Sequence, residues 1–288
     1  MRVGLVGTGP WAHLATGPGI AAAGRADLAG IWGRDPDRTR RAAAALDTRG
    51  YPSYAELLSD VDAVVLSVAP AAQPALAVQA AAAGKHLLLD KPVALTVEEA
   101  HAVRDAVAAA GVTALVFFTD RYSTSGRAWF ADLAATGGWR GGMVRWLTAL
   151  DTPGNPFAGS AWRRDRGAFT DLTPHVISTM TAAVGPVLSV SGTRGAGDVV
   201  HLVLGHEGGR SSTATLTVLA PPAAAGVEFL VWGDAGISIM PARESEALAC
   251  ASAVDELAEL AGSGRTDHPC DLRLGVHVVE LMAAAAIS

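Results

Sequence analysis

Three short stretches carry residue types and spacings that could do chemistry. Residues 87–93 read LLLDKPV, an apolar run that ends in an aspartate, a lysine and a proline. An ammonium at the mouth of a buried strand can hydrogen-bond a substrate oxygen and stabilise charge that develops on it. Pro92 disfavours helical backbone at Lys91 and favours an extended residue there. Residues 166–179 read RGAFTDLTPHVIST. Thr173-Pro174 has the form of a helix N-cap followed by proline at the first helical position, which places His175 in the first turn. The positive end of that helix disfavours an imidazolium, which suits a histidine that accepts a proton. Asp171, just upstream, can orient His175 or bind a hydroxyl. From spacing alone, a capping aspartate and a packed histidine is the stronger reading.

The third stretch is VGLVGTGPWA at 3–12. It fits G-x-G-x-x-A through Gly7, Gly9 and Ala12, with Thr8, Pro10 and Trp11 filling the loop. Gly7 allows the tight turn, Gly9 lets the backbone approach a pyrophosphate, and Ala12 is small enough for helix–strand packing. A following helix would aim its N-terminal amides at the phosphates. The end of the second strand, GIWGRDPDR at 30–38, bears on which dinucleotide is held. Gly33 stands where an acid would hold a ribose 2′-hydroxyl, and Arg34 and Arg38 follow it. A small residue leaves room for a 2′-phosphate, and a guanidinium can bind one bidentately. This favours NADP over NAD, with Asp35 as the counter-argument.

The elements that position these residues show in the hydropathy pattern. Apolar runs at 3–6, 28–32, 63–68, 86–89 and 113–118 alternate with Ala-rich amphipathic stretches at 37–45, 73–83 and 97–110. That alternation predicts a doubly wound parallel sheet, an α/β Rossmann domain over 1–119. After that the texture changes. Runs at 143–150, 187–193, 199–204, 212–219, 227–232 and 237–240 are separated by turn-like gaps such as GAGD and GHEGGR. With helices near 126–136, 174–184, 246–261 and 271–287, residues 120–288 read as an α+β domain. Its sheet is expected to be open and mostly antiparallel.

The 288 residues are half apolar and 17% charged, enough for two cores and little disorder. A net charge of -6 argues against nucleic acid as a partner. No apolar run is long enough to span a membrane. Cys250 and Cys270 lack metal-ligand spacing and read as free thiols of a cytoplasmic protein; no metal site is expected.

The stretch AAAGKHLLLDKPVALTVEEA at 81–100 resembles the glucose–fructose oxidoreductase / inositol dehydrogenase / MocA family, which carries A-G-K-H-V-x-x-E-K-P here. The resemblance implies an NAD(P)-dependent oxidoreductase acting on the CH–OH or carbonyl carbon of a sugar, sugar derivative or polyol. It implies a catalytic role for Lys91 beside the nicotinamide, with Asp90, Ala69 and Pro70 also at the cofactor. It matches Asp171 and His175 to an acid and a histidine of the substrate site. It suggests that Arg121 and Tyr122 of FTDRY, and Trp162 and Arg163 of AWRRD, contact substrate. It further implies that residues 120–288 bind substrate and carry oligomerisation, with a homodimer or homotetramer built on the open sheet. Asp90 replaces the family's glutamate, Pro74 a histidine, Thr173 a glycine and Ser178 the last acid. Reduction of a C=N or conjugated C=C bond, and non-catalytic NADP(H) sensing, remain the alternatives.

Overall fold

The computed structural model describes residues 1–265 and 267–288. The first five strands are β1 (Arg2–Val6), β2 (Asp27–Trp32), β3 (Ala63–Leu66), β4 (His86–Asp90) and β5 (Ala114–Phe117). They pair in parallel in the order β2-β1-β3-β4-β5. Helices cross between them: α1 (Gly17–Ala22), α2 (Pro36–Ala45), α3 (Tyr54–Asp60), α4 (Gln73–Ala82) and α5 (Val97–Ala110), with the short α6 (Thr119–Tyr122) after β5. The strands are continuous apolar runs because both faces are covered. Leu5, Leu66, Leu87, Leu88 and Leu89 have no exposed surface, each burial contributing roughly 1.5–3 kcal/mol. The chain leaves β1 in one direction and returns to β3 on its other side. That reversal opens a crevice at the carboxyl ends of β1 and β3, where α/β sheets bind ligands.

A second sheet follows α7 (Thr124–Thr136). Its strands are β6 (Trp139–Leu147), β7 (Val187–Arg194), β8 (Val200–His206), β9 (Ser211–Thr217), β10 (Gly226–Gly233) and β11 (Gly236–Ile239), with the long helix α8 (Ala161–Ala183) between β6 and β7. Completed by β12 (Ala286–Ile287), the order is β11-β10-β6-β9-β8-β7-β12. Two pairs, β6–β9 and β7–β12, are parallel and the others antiparallel, so the expected architecture holds. Helix α8 packs on one face. The other exposes Met143, Val203, Trp232, Ile237 and Ile239.

The chain forms two compact units, and each is discontinuous: Met1–Ser123 with Arg243–Val279, and Thr124–Ala242 with Glu280–Ser288. Helix α9 (Glu246–Ser263) therefore belongs to the parallel-sheet unit, and α10 (Leu272–Ala283) begins in it. The sequence predicts a single boundary after residue 119, whereas the chain returns to the first unit at Arg243. Against α1 the packing is close: a Cβ on Gly19 would lie 2.5 Å from Cys250 Cβ. Asp255 of α9 accepts from Gly24 N at 3.1 Å and Arg25 N at 2.6 Å, just beyond the end of α1. Cys250 and Cys270 are buried and form no disulfide. No described helix is long and apolar enough to cross a membrane, and no described cluster of His, Cys, Asp and Glu could hold a metal.

Candidate active site

In the first unit, the loop after β1 has the backbone that the glycine pattern requires. Gly7 takes φ 123°, and a Cβ there would sit 2.1 Å from the carbonyl oxygen of Ser67. No other residue fits that turn. Around Gly9 a Cβ would meet nothing within 4 Å, so no packing in this chain calls for a glycine there. Its bare backbone is open to an incoming group. Ala12 is fully buried, and its N–H donates to Gly9 O at 3.0 Å. The expected helix opens as a π-helical turn, Ala12–Thr16, before becoming α1. Thr8 is half-buried and Pro10 exposed, while the Trp11 ring lies 6.4 Å from Phe117.

The second-strand residues come to the same loop. Arg38 Nη2 donates to Thr8 O at 3.5 Å, a weak contact that still sets a guanidinium beside the glycine loop. Asp35 is the N-cap of α2, accepting from Asp37 N at 2.9 Å and Arg38 N at 3.0 Å. Those bonds hold its carboxyl below the usual range, the one from Arg38 first. Its side chain is thus engaged in capping. Gly33 needs a different reason from the one the sequence suggested. A Cβ on it would lie 2.8 Å from Thr8 Cγ2 and 3.3 Å from Thr39 Oγ1. Its glycine admits these two threonines and does not in itself make room for a phosphate. Arg34 is exposed. Ala69 and Pro70 form the turn from β3 into α4, where Ala72 N donates to Ala69 O at 2.9 Å.

Strand β4 ends at Asp90, and Lys91 lies half-buried in the bend after it; the Lys91–Pro92 peptide is cis. Asp90 Oδ1 accepts from Lys91 N at 2.8 Å. One residue that sequence reasoning missed holds this bend. Gln73, with 1% of its surface exposed, donates to Asp90 O at 2.7 Å, Pro92 O at 3.0 Å and Val93 O at 3.3 Å. Its Oε1 accepts from Asp90 N at 2.8 Å. The available signal was slight: a lone amide opening an otherwise apolar helix, QPALAV.

Arg121 is half-buried at the end of α6. Tyr122 is interior. It stacks on His268 with ring centroids 5.8 Å apart and lies 5.9 Å from Phe117. Burial pushes its hydroxyl well above the ordinary tyrosine range. This is a packing position, so the expectation that Tyr122 contacts substrate is not supported. Its neighbour Asp120 pairs with Arg243 at 2.6 Å, fastening α6 to the segment before α9.

The second unit carries Asp171 and His175 on α8. The cap expected at Thr173-Pro174 is absent. Both residues lie inside the helix and are buried. The helical run is broken instead at Gly167, with φ 65° and ψ −169°. His175 is thus in the third turn after the break, beyond the reach of the helix-end field invoked for it. Asp171 and His175, four apart on this helix, share one face. Arg163 Nε donates to Asp171 at 3.0 Å and Nη1 to Ser160 Oγ at 3.3 Å. Its guanidinium also lies over the rings of Phe157 (4.6 Å) and Trp162 (4.5 Å). The His175 ring is 5.1 Å from Trp146 of β6. Arg163 thus brings Trp162 and Asp171 together across the break in α8, and His175 lies one turn further on.

A bare glycine loop at the crevice of a parallel sheet, with a guanidinium beside it, fits a nicotinamide dinucleotide and defines the class: an NAD(P)-binding α/β protein. Residues 1–118 match the GFO_IDH_MocA family, described as an oxidoreductase family with an NAD-binding Rossmann fold. A UDP-N-acetylglucosamine 3-dehydrogenase of Acidithiobacillus ferrooxidans is 37% identical over 103 residues, 36% of this chain. That match spans 32% of the relative's own length. Two solved structures share the fold over nearly the whole chain. An oxidoreductase from Agrobacterium radiobacter, in complex with NAD+, L-tartaric acid and magnesium, has a TM-score of 0.85 at 18% identity, covering 99% of this chain and 95% of that one. A 3-ketoreductase from Actinomadura kijaniata, in complex with NADP and TDP-benzene, has a TM-score of 0.76 at 18% identity, covering 100% and 98%.

Proposed function

We propose that the protein is an NADP(H)-dependent oxidoreductase that moves hydride between the nicotinamide and a hydroxyl- or carbonyl-bearing carbon of a sugar or sugar derivative. The observation that carries this reading is the pairing of an intact glycine loop with a lysine held just past β4 by a buried amide. The nicotinamide, when bound, supplies or accepts the hydride. Gly7, Thr8, Gly9, Pro10, Trp11 and Ala12 would hold the dinucleotide's phosphates, with Ala69 and Pro70 beside them. Arg38, with Arg34, would bind the ribose 2′-phosphate and favour NADP. The Lys91 ammonium would hydrogen-bond the reacting oxygen and offset the negative charge that gathers there. His175 would exchange the proton of that oxygen. Asp171, locked by Arg163, would bind a neighbouring hydroxyl or orient the histidine.

A sugar or sugar-nucleotide substrate is supported by the named activity of the Acidithiobacillus relative. Two buried thiols without a disulfide suit a reducing cytoplasm. The exposed face of the mixed sheet would pair copies of the chain into a dimer or tetramer. The deciding experiment mixes the protein with NADPH and a panel of keto-sugars and nucleotide-linked keto-sugars. Oxidation of NADPH is expected on at least one of them. Turnover on none, with tight NADPH binding, would leave the sensor reading in its place.

A further inference from the structure

We infer that Asp198 is a positioning residue for Asp171 and His175, acting through the start of the helix that carries them; its catalytic readout rests on the function proposed above. Asp198 closes the GAGD connector between β7 and β8. One of its carboxylate oxygens accepts from Ala168 N at 3.1 Å and from Val218 N at 2.9 Å, and the other from the Thr217 hydroxyl. A single side chain therefore ties the end of β9 to the point where α8 resumes after its break.

The break creates the need. Residue 167 leaves helical geometry, so the helix that follows has orphan N–H groups at its first turn. Usually the residue just before a helix supplies the acceptor. Gly167 has no side chain to offer. Asp198, 30 residues further along the chain, supplies it. A carboxylate there is also favoured by the positive end of the helix. Asp171 and His175 lie one and two turns beyond Ala168, so the capped end fixes the register of both.

The same break makes the Arg163–Asp171 pair possible. On an unbroken helix, residues eight apart are separated by about 12 Å along the axis. Those side chains could not then meet at 3.0 Å. The turn at Gly167 folds Arg163 back onto the face that carries Asp171. Loss of the acceptor at residue 198 would leave Ala168 N without its cap and the break without its clamp. The helix could then run on through Gly167, at the expense of the pair.

The test compares D198N with D198A. An amide keeps an oxygen for Ala168 and Val218, and its nitrogen can donate to Thr217. D198N is expected to hold kcat within ~3-fold of the parent, whereas D198A loses ~10-fold or more, with KM and NADPH affinity within ~3-fold. In an R163Q background, D198A is expected to add less than ~3-fold, because both changes undo one arrangement. Full additivity, an unchanged kcat in D198A, or D198N as impaired as D198A would each overturn the inference. Should D198A not fold, G167A reads the same break with Asp198 intact, and an unchanged kcat there also overturns it. A readout independent of turnover is amide hydrogen exchange over residues 168–172. Exchange should quicken in D198A or G167A and stay slow in D198N; no change in the first two refutes the clamp. If no sugar is turned over, the proposed activity fails while the exchange result still decides the role of Asp198.

Discussion

Lys91 and Arg38 make separable predictions. Replacing the ammonium in K91M removes the donor to the reacting oxygen while keeping the apolar stem. Loss of one such donor costs roughly 10²–10³ in kcat, which steady-state rates with NADPH and a keto-sugar would read. An unchanged kcat would remove Lys91 from the chemistry. Arg38 should act on the cofactor alone. A charge-assisted hydrogen bond contributes about 1.5–3 kcal/mol, so R38A should weaken NADPH binding by roughly 10- to 100-fold and leave NADH within ~3-fold. Equal loss for both nucleotides would argue against a 2′-phosphate contact. The residue types were legible in sequence here, since a glycine loop, a lysine and arginines each carry their chemistry locally. What was not legible was the use of Gly33, whose missing side chain admits Thr8 and Thr39. Nor could Asp35 be placed until its carboxylate was seen capping α2.

At the scale of elements, the five parallel strands and helices α2, α4 and α5 follow from hydropathy because each run is buried on both faces. Helix α3 does not show in hydropathy, although its N-cap Ser53 with Glu56 marks the start: Glu56 N donates to Ser53 Oγ at 3.2 Å and Ser53 Oγ to Glu56 Oε1 at 2.8 Å. The misplaced start of α8 has a deeper cause. Thr173-Pro174 looks like a cap from its neighbours, but the acceptor at the break is Asp198, far away in the chain. A local pattern cannot report it. The bend after β4 is likewise fixed from outside, by Gln73 of α4. Q73L should cost about 1–3 kcal/mol of stability, because buried groups lose their partners, and should lower kcat by roughly 10-fold through a loosened Lys91. Thermal melts and rates together test it; a destabilised enzyme with full kcat would separate the bend from the chemistry.

The hairpin of β8 and β9 gives a pH prediction. His206 is buried with Nδ1 2.7 Å from Gly185 O and Nε2 2.9 Å from Ser212 Oγ. A carbonyl only accepts, so Nδ1 carries the proton of a neutral ring. Burial lowers its pKa from the ordinary 6.5. In the unfolded chain the ring takes up a proton more readily than in the native state. The stability it contributes is therefore present above 6.5 and lost as pH falls through its lowered native value. Melting temperature should fall between about pH 8 and about pH 5, and H206Q should flatten that slope. Identical slopes would assign the acid sensitivity elsewhere.

Across the whole molecule, the mixed sheet leaves an apolar face that a lone copy exposes to water. Trp232 is 45%, Ile237 69% and Ile239 57% exposed. Pairing with a second copy would cover them, as contiguous apolar patches of this kind mark association sites. Light scattering should give a dimer or tetramer, and W232K with I237K should give monomers that still bind NADPH. A wild-type monomer at micromolar concentration would leave that face without a copy to cover it.

The discontinuity of the parallel-sheet unit has a consequence for how the protein is made. Helix α9 packs on α1, and Asp255 closes the backbone just after α1. Arg243 supplies the counter-charge to the buried Asp120. All three partners emerge from the ribosome only after the entire second sheet but its last short strand has been synthesised. The parallel-sheet unit, begun before the second sheet, is thus finished only after it. A nascent chain halted before Arg243 would carry an open groove along α1 and an uncompensated acid.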